Sequence, residues 1–193
     1  MSLIVILKED NKYVVGCDTR ISGQDDYEDG YQRVPKAKHI DFHNQLIIGC
    51  VGNIGILDVV EMIVSKEEKI TRGTLVKNVI PKLREITSGT SYEVSNRCLD
   101  GDILIAYKDK AYAITSYYTV INIDDMYALG SGANTAYGSL FTSRYMNVDA
   151  ASRVMLSIKA AGSRIFSVSK DAWVGDTSGS PFSPKSQVKY NEK

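Results

Sequence analysis

The order of elements along the chain predicts an α+β fold: a four-layer αββα sandwich, two antiparallel sheets face to face with a helix pair on each outer side. Two observations carry this. Apolar runs of strand length come in neighbouring pairs joined by short polar turns. Segments with helical periodicity come two at a time, so the order is four strands, two helices, about four strands, two helices and a last strand. A parallel sheet needs a crossover between successive strands and would alternate instead. The length of 193 residues suits a single domain, expected over residues 1–175, with a polar tail over 176–193.

Residues 3–7 are continuously apolar and fit a buried strand. The polar turn Glu9-Asp10-Asn11-Lys12 leads to a return strand, Tyr13 to Cys17, which makes 3–18 a hairpin. Residues 22–33 are polar and acidic and read as a loop. Residues 38–43 and 45–51 form a second strand pair, and Gly52-Asn53 opens a helix with Ile54, Leu57, Val60 and Ile63 on its apolar face. A second helix spans about 71–86, where Pro81 is expected to kink it or displace its boundary. Strands follow at 102–107, 111–115, 117–123 and 126–129. Gly130-Ser131-Gly132 leads into a third helix, Asp149 caps a fourth over about 149–161, and a final strand is expected near 164–169.

Lys+Arg and Asp+Glu are 23 each, so no global charge points to nucleic acid or an anionic membrane. No apolar run reaches membrane-spanning length and no secretory leader pattern opens the chain, which reads as cytoplasmic. Cys17, Cys50 and Cys98 are an odd number without CxxC spacing and are expected as buried thiols. With only His39 and His43, no metal or other cofactor is expected.

The chemistry begins at Ser2. A serine hydroxyl is a poor nucleophile until a base takes its proton. If Met1 is removed, Ser2 carries a free α-amine of pKa about 8 as its own base. Such a site needs a cation, a carboxylate to anchor it, and a backbone N–H for the oxyanion. Asp18 ends the strand paired with that of Ser2, Lys36 and Lys38 enter the next hairpin, and Gly52 follows a buried strand at a helix start.

This constellation resembles the N-terminal nucleophile (Ntn) hydrolases of the proteasome β-subunit and HslV peptidase type, over about residues 2–169. The resemblance puts the nucleophile on Ser2, the buried aspartate on Asp18, the supporting arginine on Arg20, the oxyanion glycine on Gly52 and the supporting serine of Gly-Ser-Gly on Ser131. The family's usual threonine is a serine here. Counting back from Gly52 puts the lysine on Lys38, whereas the pattern Lys-x-x-x-Ile-Asp puts it on Lys36 with a two-residue insertion; Lys38 is preferred because a strand tolerates insertion poorly. The late Asp-x-x-Ser-Gly element falls near Asp171 by residue type or on Ile165 and Val168 by position, and both alignments lack its serine. Ile21, Cys50 and Ile54 are implied to line the pocket for an uncharged substrate side chain.

The resemblance implies a peptidase acting on a peptide or protein, a homo-oligomer (a ring), and an ATPase as partner. Two alternatives stand beside it: a non-catalytic structural subunit of the same fold, and a stand-alone Ntn amidase. Proteasome α-subunits carry a helix ahead of the first strand, whereas this sequence opens directly on the strand.

Overall fold

In the computed structural model of the chain, residues 2–20, 35–40, 43–94 and 97–178 are described. Strand β1 (Leu3–Glu9) and β2 (Lys12–Asp18) form the first hairpin. Strands β3 (Ala37–Ile40) and β4 (His43–Gly52) form the second. Helix α1 spans Ile56–Val64, and a longer helical stretch runs through α2 (Arg72–Thr74), a π-helical segment (Leu75–Val79) and α3 (Ile80–Thr87). A small hairpin follows, β5 (Glu93–Val94) with β6 (Cys98–Leu99). Then come β7 (Gly101–Tyr107), β8 (Lys110–Ile114), β9 (Val120–Ile123), β10 (Met126–Gly130), helices α4 (Ala133–Ser143) and α5 (Ala150–Arg164), and β11 (Ala172–Asp176).

The two hairpins part company. The first is central in a four-stranded sheet ordered β10-β1-β2-β11, and the second opens a five-stranded sheet ordered β3-β4-β7-β8-β9. The strand pairings in both are antiparallel. Side-chain alternation then builds three apolar layers. Ile4, Ile6, Val15 and Cys17 meet Ala37, Ile47, Val51, Leu104 and Ala106 between the sheets. Leu3, Val5, Leu7 and Val14 point the other way, onto Val154, Ile158 and Leu140 of α4 and α5. Leu46, Ile48, Cys50, Ile103 and Ile105 pack outward onto α1 and the α2–α3 stretch. The order of layers is helix pair, sheet, sheet, helix pair: the αββα sandwich.

Two local expectations meet the structure. Pro81 lies within a helical stretch that runs from Arg72 to Thr87, just after its π-helical segment gives way to α3. The Ile80 N–H donates to the Leu75 carbonyl five residues back, so Pro81 enters where the hydrogen-bond ladder is already widened. Residues 164–169 are not a strand. Helix α5 runs to Arg164, and the Ile165 N–H still donates to the Ala161 carbonyl at 2.8 Å. The chain then folds back over Gly162, where a Cβ would come within 2.9 Å of the Ser169 backbone, and the last strand starts at Ala172. The cap at Asp149 forms as expected, its carboxylate accepting from the Ser152 N–H at 2.6 Å.

Candidate active site

Because β1 lies between β2 and β10, its first residues are flanked on both sides. Ser2 is 5% exposed. The Leu3 N–H donates to Asp18 Oδ1 at 2.8 Å, which puts the carboxylate beside the start of β1. Asp18 is fully buried, and a buried carboxylate needs a cation and hydrogen bonds. It has both: Oδ2 accepts from Lys36 Nζ at 2.7 Å and from the Arg20 and Ser169 N–H groups, each at 3.3 Å.

The lysine at Asp18 is thus Lys36, which corrects the preference for Lys38. Lys36 is 3% exposed and its ammonium also donates to the Arg20 carbonyl. Its backbone is fixed on both sides: its N–H donates to Cys17 Sγ at 3.2 Å and its carbonyl accepts from the Cys50 N–H at 2.9 Å. Lys38 sits opposite Ile48 in the β3–β4 ladder, on the outward face, and pairs with Asp58 at 3.3 Å and with Glu61 of α1. The argument from strand insertion fails for a visible reason. The β3–β4 register shifts between His39 and Ile40, and such an irregularity absorbs extra residues that a straight ladder would refuse.

Three strand ends converge on Ser2. Gly130 closes β10 opposite Leu3 with φ +98°, and a Cβ there would lie 2.0 Å from the Ser2 carbonyl oxygen and 3.3 Å from Val51 Cγ1. Val51 precedes Gly52, which ends β4 exposed with φ +96°; a Cβ on Gly52 would lie 2.4 Å from the Asp100 carbonyl oxygen. Both positions accept only glycine without strain. Ser131 follows Gly130 at an exposed position. The structure therefore brings together Ser2, Asp18, Lys36 and the segments carrying Gly52 and Ser131.

The turn at 165–169 completes the surroundings of Asp18. The Arg20 guanidinium donates to the Phe166 carbonyl and lies 4.4 Å from the Phe166 ring centroid, tying the end of β2 to that turn. Asp171 is exposed, and its N–H donates to Ser169 Oγ at 3.0 Å. Sequence comparison left this region without its serine. Ser169 reaches Asp18 through its backbone N–H alone, and nearby in the chain Ser167, 7% exposed, has a hydroxyl with no hydrogen-bond partner among the described residues.

Of the expected pocket residues, Ile21 lies outside the described residues, as does Met1. Cys50 is buried and Ile54 packs against the same apolar cluster under α1. Sequence reasoning missed Tyr92. Its ring lies against Gly55, where a Cβ would come within 2.8 Å of Cε1, and its carbonyl accepts from the Asp100 N–H while the Asp100 carbonyl accepts from the Asn53 N–H, each at 2.8 Å. Tyr92 thus walls the loop that carries Gly52. Burial pushes the thiols of Cys17 and Cys50 up to about 12, so neither provides a nucleophile near neutral pH.

No protein-family model matches the chain, and no curated protein matches it. Solved structures do. BPH of Thiobacillus denitrificans is 17% identical with a TM-score of 0.73, covering 93% of this chain and 100% of that one. The same protein in complex with epoxomicin is 16% identical with a TM-score of 0.73 over the same shares. Eukaryotic HslV from Trypanosoma brucei is 14% identical with a TM-score of 0.67, covering 90% of this chain and 98% of that one. At these identities the likeness is one of fold.

Proposed function

The chain has the proteasome-like Ntn-hydrolase fold, and on that premise we propose that it is a serine-type peptidase whose nucleophile is Ser2, freed by removal of Met1. The observation that carries the proposal is the buried Lys36–Asp18 pair, 2.7 Å apart and hydrogen-bonded to the first residue after Ser2. An ordinary strand end has no use for a fully buried ion pair, which is costly to desolvate and adds little stability over an apolar pair.

The reaction is acyl transfer. The α-amine of Ser2, through a water, takes the proton as Ser2 Oγ attacks the substrate carbonyl carbon. The Gly52 N–H stabilises the oxyanion, and collapse of that intermediate breaks the C–N bond while the ammonium returns the proton to the leaving amine. A water then attacks the ester with the amine again as base, releasing the acid and restoring Ser2. Lys36, anchored by Asp18, supplies positive potential that favours the neutral amine. Arg20, Ser131, Ser169 and Asp171 hold the segments in place, and Ile54 and Ile21 receive an uncharged side chain, with Cys50 buried in the apolar cluster that Ile54 packs against.

The same proposal includes a cytoplasmic homo-oligomer, arranged as a ring and supplied with substrate by an ATPase. No helix among the described residues is long and apolar enough to cross a membrane. The test is intact mass after incubation with epoxomicin. The expected spectrum shows the chain lacking one methionine and carrying one inhibitor, with no adduct on Ser2→Ala. A chain that keeps Met1 and takes up no inhibitor would leave a non-catalytic subunit of this fold. Native mass spectrometry reads the ring.

A further inference from the structure

Apart from the Ser2 site, a cavity of about 570 Å³ opens between the end of α3, the β5–β6 hairpin and the turn joining β8 to β9. That volume is within the range of small-molecule sites. Its polar lining is rich in donors: the guanidiniums of Arg84 and Arg97 and the hydroxyls of Ser88 and Tyr117. Among the described residues the lining holds one carboxylate, Glu93, whose Oε2 accepts from the Gly89 N–H at 2.6 Å. Neither Arg84 nor Arg97 forms an ion pair among the described residues.

The wall is held rigidly. Arg84 lies over the Tyr118 ring at 4.6 Å, and the Tyr118 hydroxyl shares a hydrogen bond with Thr87 Oγ1 at 3.1 Å. Tyr118 and Arg97 both adopt left-handed backbone conformations, φ 61° and 60°, so two of the four non-glycine residues with positive φ among the described residues line this cavity. Such conformations persist where the surroundings over-determine them, and they cluster at ligand clamps. Tyr117 is 73% exposed and presents an aromatic face at the rim.

We propose that this cavity binds a small organic anion, a carboxylate or a phosphate carried on a flat apolar group. Arg84 and Arg97 hold the anion and Tyr117 covers the flat group. The site shares no residue with the Ser2 mechanism and stands or falls independently of it.

The experiment is calorimetric titration of the full chain with phenyl phosphate, benzoate, inorganic phosphate and phenol. Saturable one-to-one binding of phenyl phosphate or benzoate, with phenol silent, is the expected result, and the tighter of the two anions identifies the headgroup. Arg97→Gly removes the guanidinium while suiting the left-handed backbone; it should weaken binding roughly tenfold or more, the loss of one charge-assisted contact. Tyr117→Ala should weaken the aromatic anions and leave inorganic phosphate unchanged. No saturable binding of either aromatic anion, phenol binding as tightly as they do, or unchanged affinity in Arg97→Gly would each overturn the proposal. Arg84→Gln serves as a second variant, checked by thermal unfolding because Arg84 also stacks on Tyr118.

Discussion

Lys36 Nζ lies 2.7 Å from Asp18 Oδ2, with the two side chains 3% and 0% exposed, while Lys38, two residues on, pairs with α1 at the surface. The two lysines therefore have opposite expected mutational weights. Lys36→Ala leaves a buried carboxylate uncompensated and should cost ~3–5 kcal/mol, together with loss of the epoxomicin adduct. Lys38→Ala breaks a solvent-exposed pair and should cost under ~1 kcal/mol, with labelling intact. Urea denaturation and intact mass measure both. Equal losses in the two variants would contradict the assignment of Lys36.

Gly130 should tolerate no side chain. Its φ of +98° and a Cβ position 2.0 Å from the Ser2 carbonyl predict that Gly130→Ala destabilises by more than ~2 kcal/mol and displaces Ser2. Gly138 in α4 is the control: a Cβ there meets nothing within 4 Å. Gly138→Ala should be neutral, or stabilising by up to ~1 kcal/mol from helix propensity. Urea midpoints of the two variants decide.

Tyr92 and Gly55 form a tight pair beside the Gly52 loop, so their substitutions should not add. Gly55→Ala forces its methyl into the ring, 2.8 Å from Cε1, and should cost ~1–3 kcal/mol. Tyr92→Ala removes the obstacle. In the double variant the Gly55→Ala cost should fall by at least ~0.5 kcal/mol, the scale of coupling between touching residues. An additive cycle would show that the two do not touch in solution.

The last strand is held by a carboxylate that should matter in mild acid. Burial works against ionised Asp176. The Ser178 hydroxyl and N–H at 2.5 and 2.9 Å, with the Lys12 ammonium at 3.0 Å, outweigh it and keep its pKa below the usual carboxylate value. A depressed folded-state pKa contributes stability above the unfolded value of about 4, and that stability is lost as pH falls through the folded value. Asp176→Asn should therefore unfold at a lower temperature than the parent at pH 7, with the gap shrinking below about pH 4. A gap that widens with acid would reverse the sign and refute the linkage.

Buried thiols give a chemical check on the site's walls. With pKa values pushed up to about 12, Cys17 and Cys50 should resist iodoacetamide at pH 8 and react only after denaturation. Peptide mass mapping reads each cysteine separately. Rapid native labelling of Cys50 would mean that the apolar floor beneath Ile54 is open to solvent.

Much of the architecture was legible in the sequence because its signals are local. Continuous apolar runs in β1 and β4, turn residues between strands, and paired helical faces depend on neighbours within a few residues. The same holds for Asp18, which ends the strand paired with that of Ser2, and for Gly52 at a strand end. The strand expected near 164–169 failed where local patterns yield to long-range packing. The short run Ile165 to Ser169 offers apolar residues at strand length, yet its backbone stays in turns, with the Val168 N–H donating to the Ile165 carbonyl at 3.0 Å, where the chain crosses back over Gly162.

By itself the sequence determined the layers of the sandwich and the presence of a hydroxyl, a carboxylate and a lysine near one strand end. Only the tertiary structure decided which lysine reaches Asp18, because the answer depends on a register shift between His39 and Ile40 that no periodicity records. The fold likewise decided that Ser169, 151 residues from Asp18 in the chain, donates to its carboxylate, and that Tyr92 walls the Gly52 loop. Those contacts follow from the two first hairpins entering different sheets, with β10 and β11 closing around the N-terminal one. Strand pairing over such separations is set by the packing of whole layers, and residue spacing along the chain carries no trace of it.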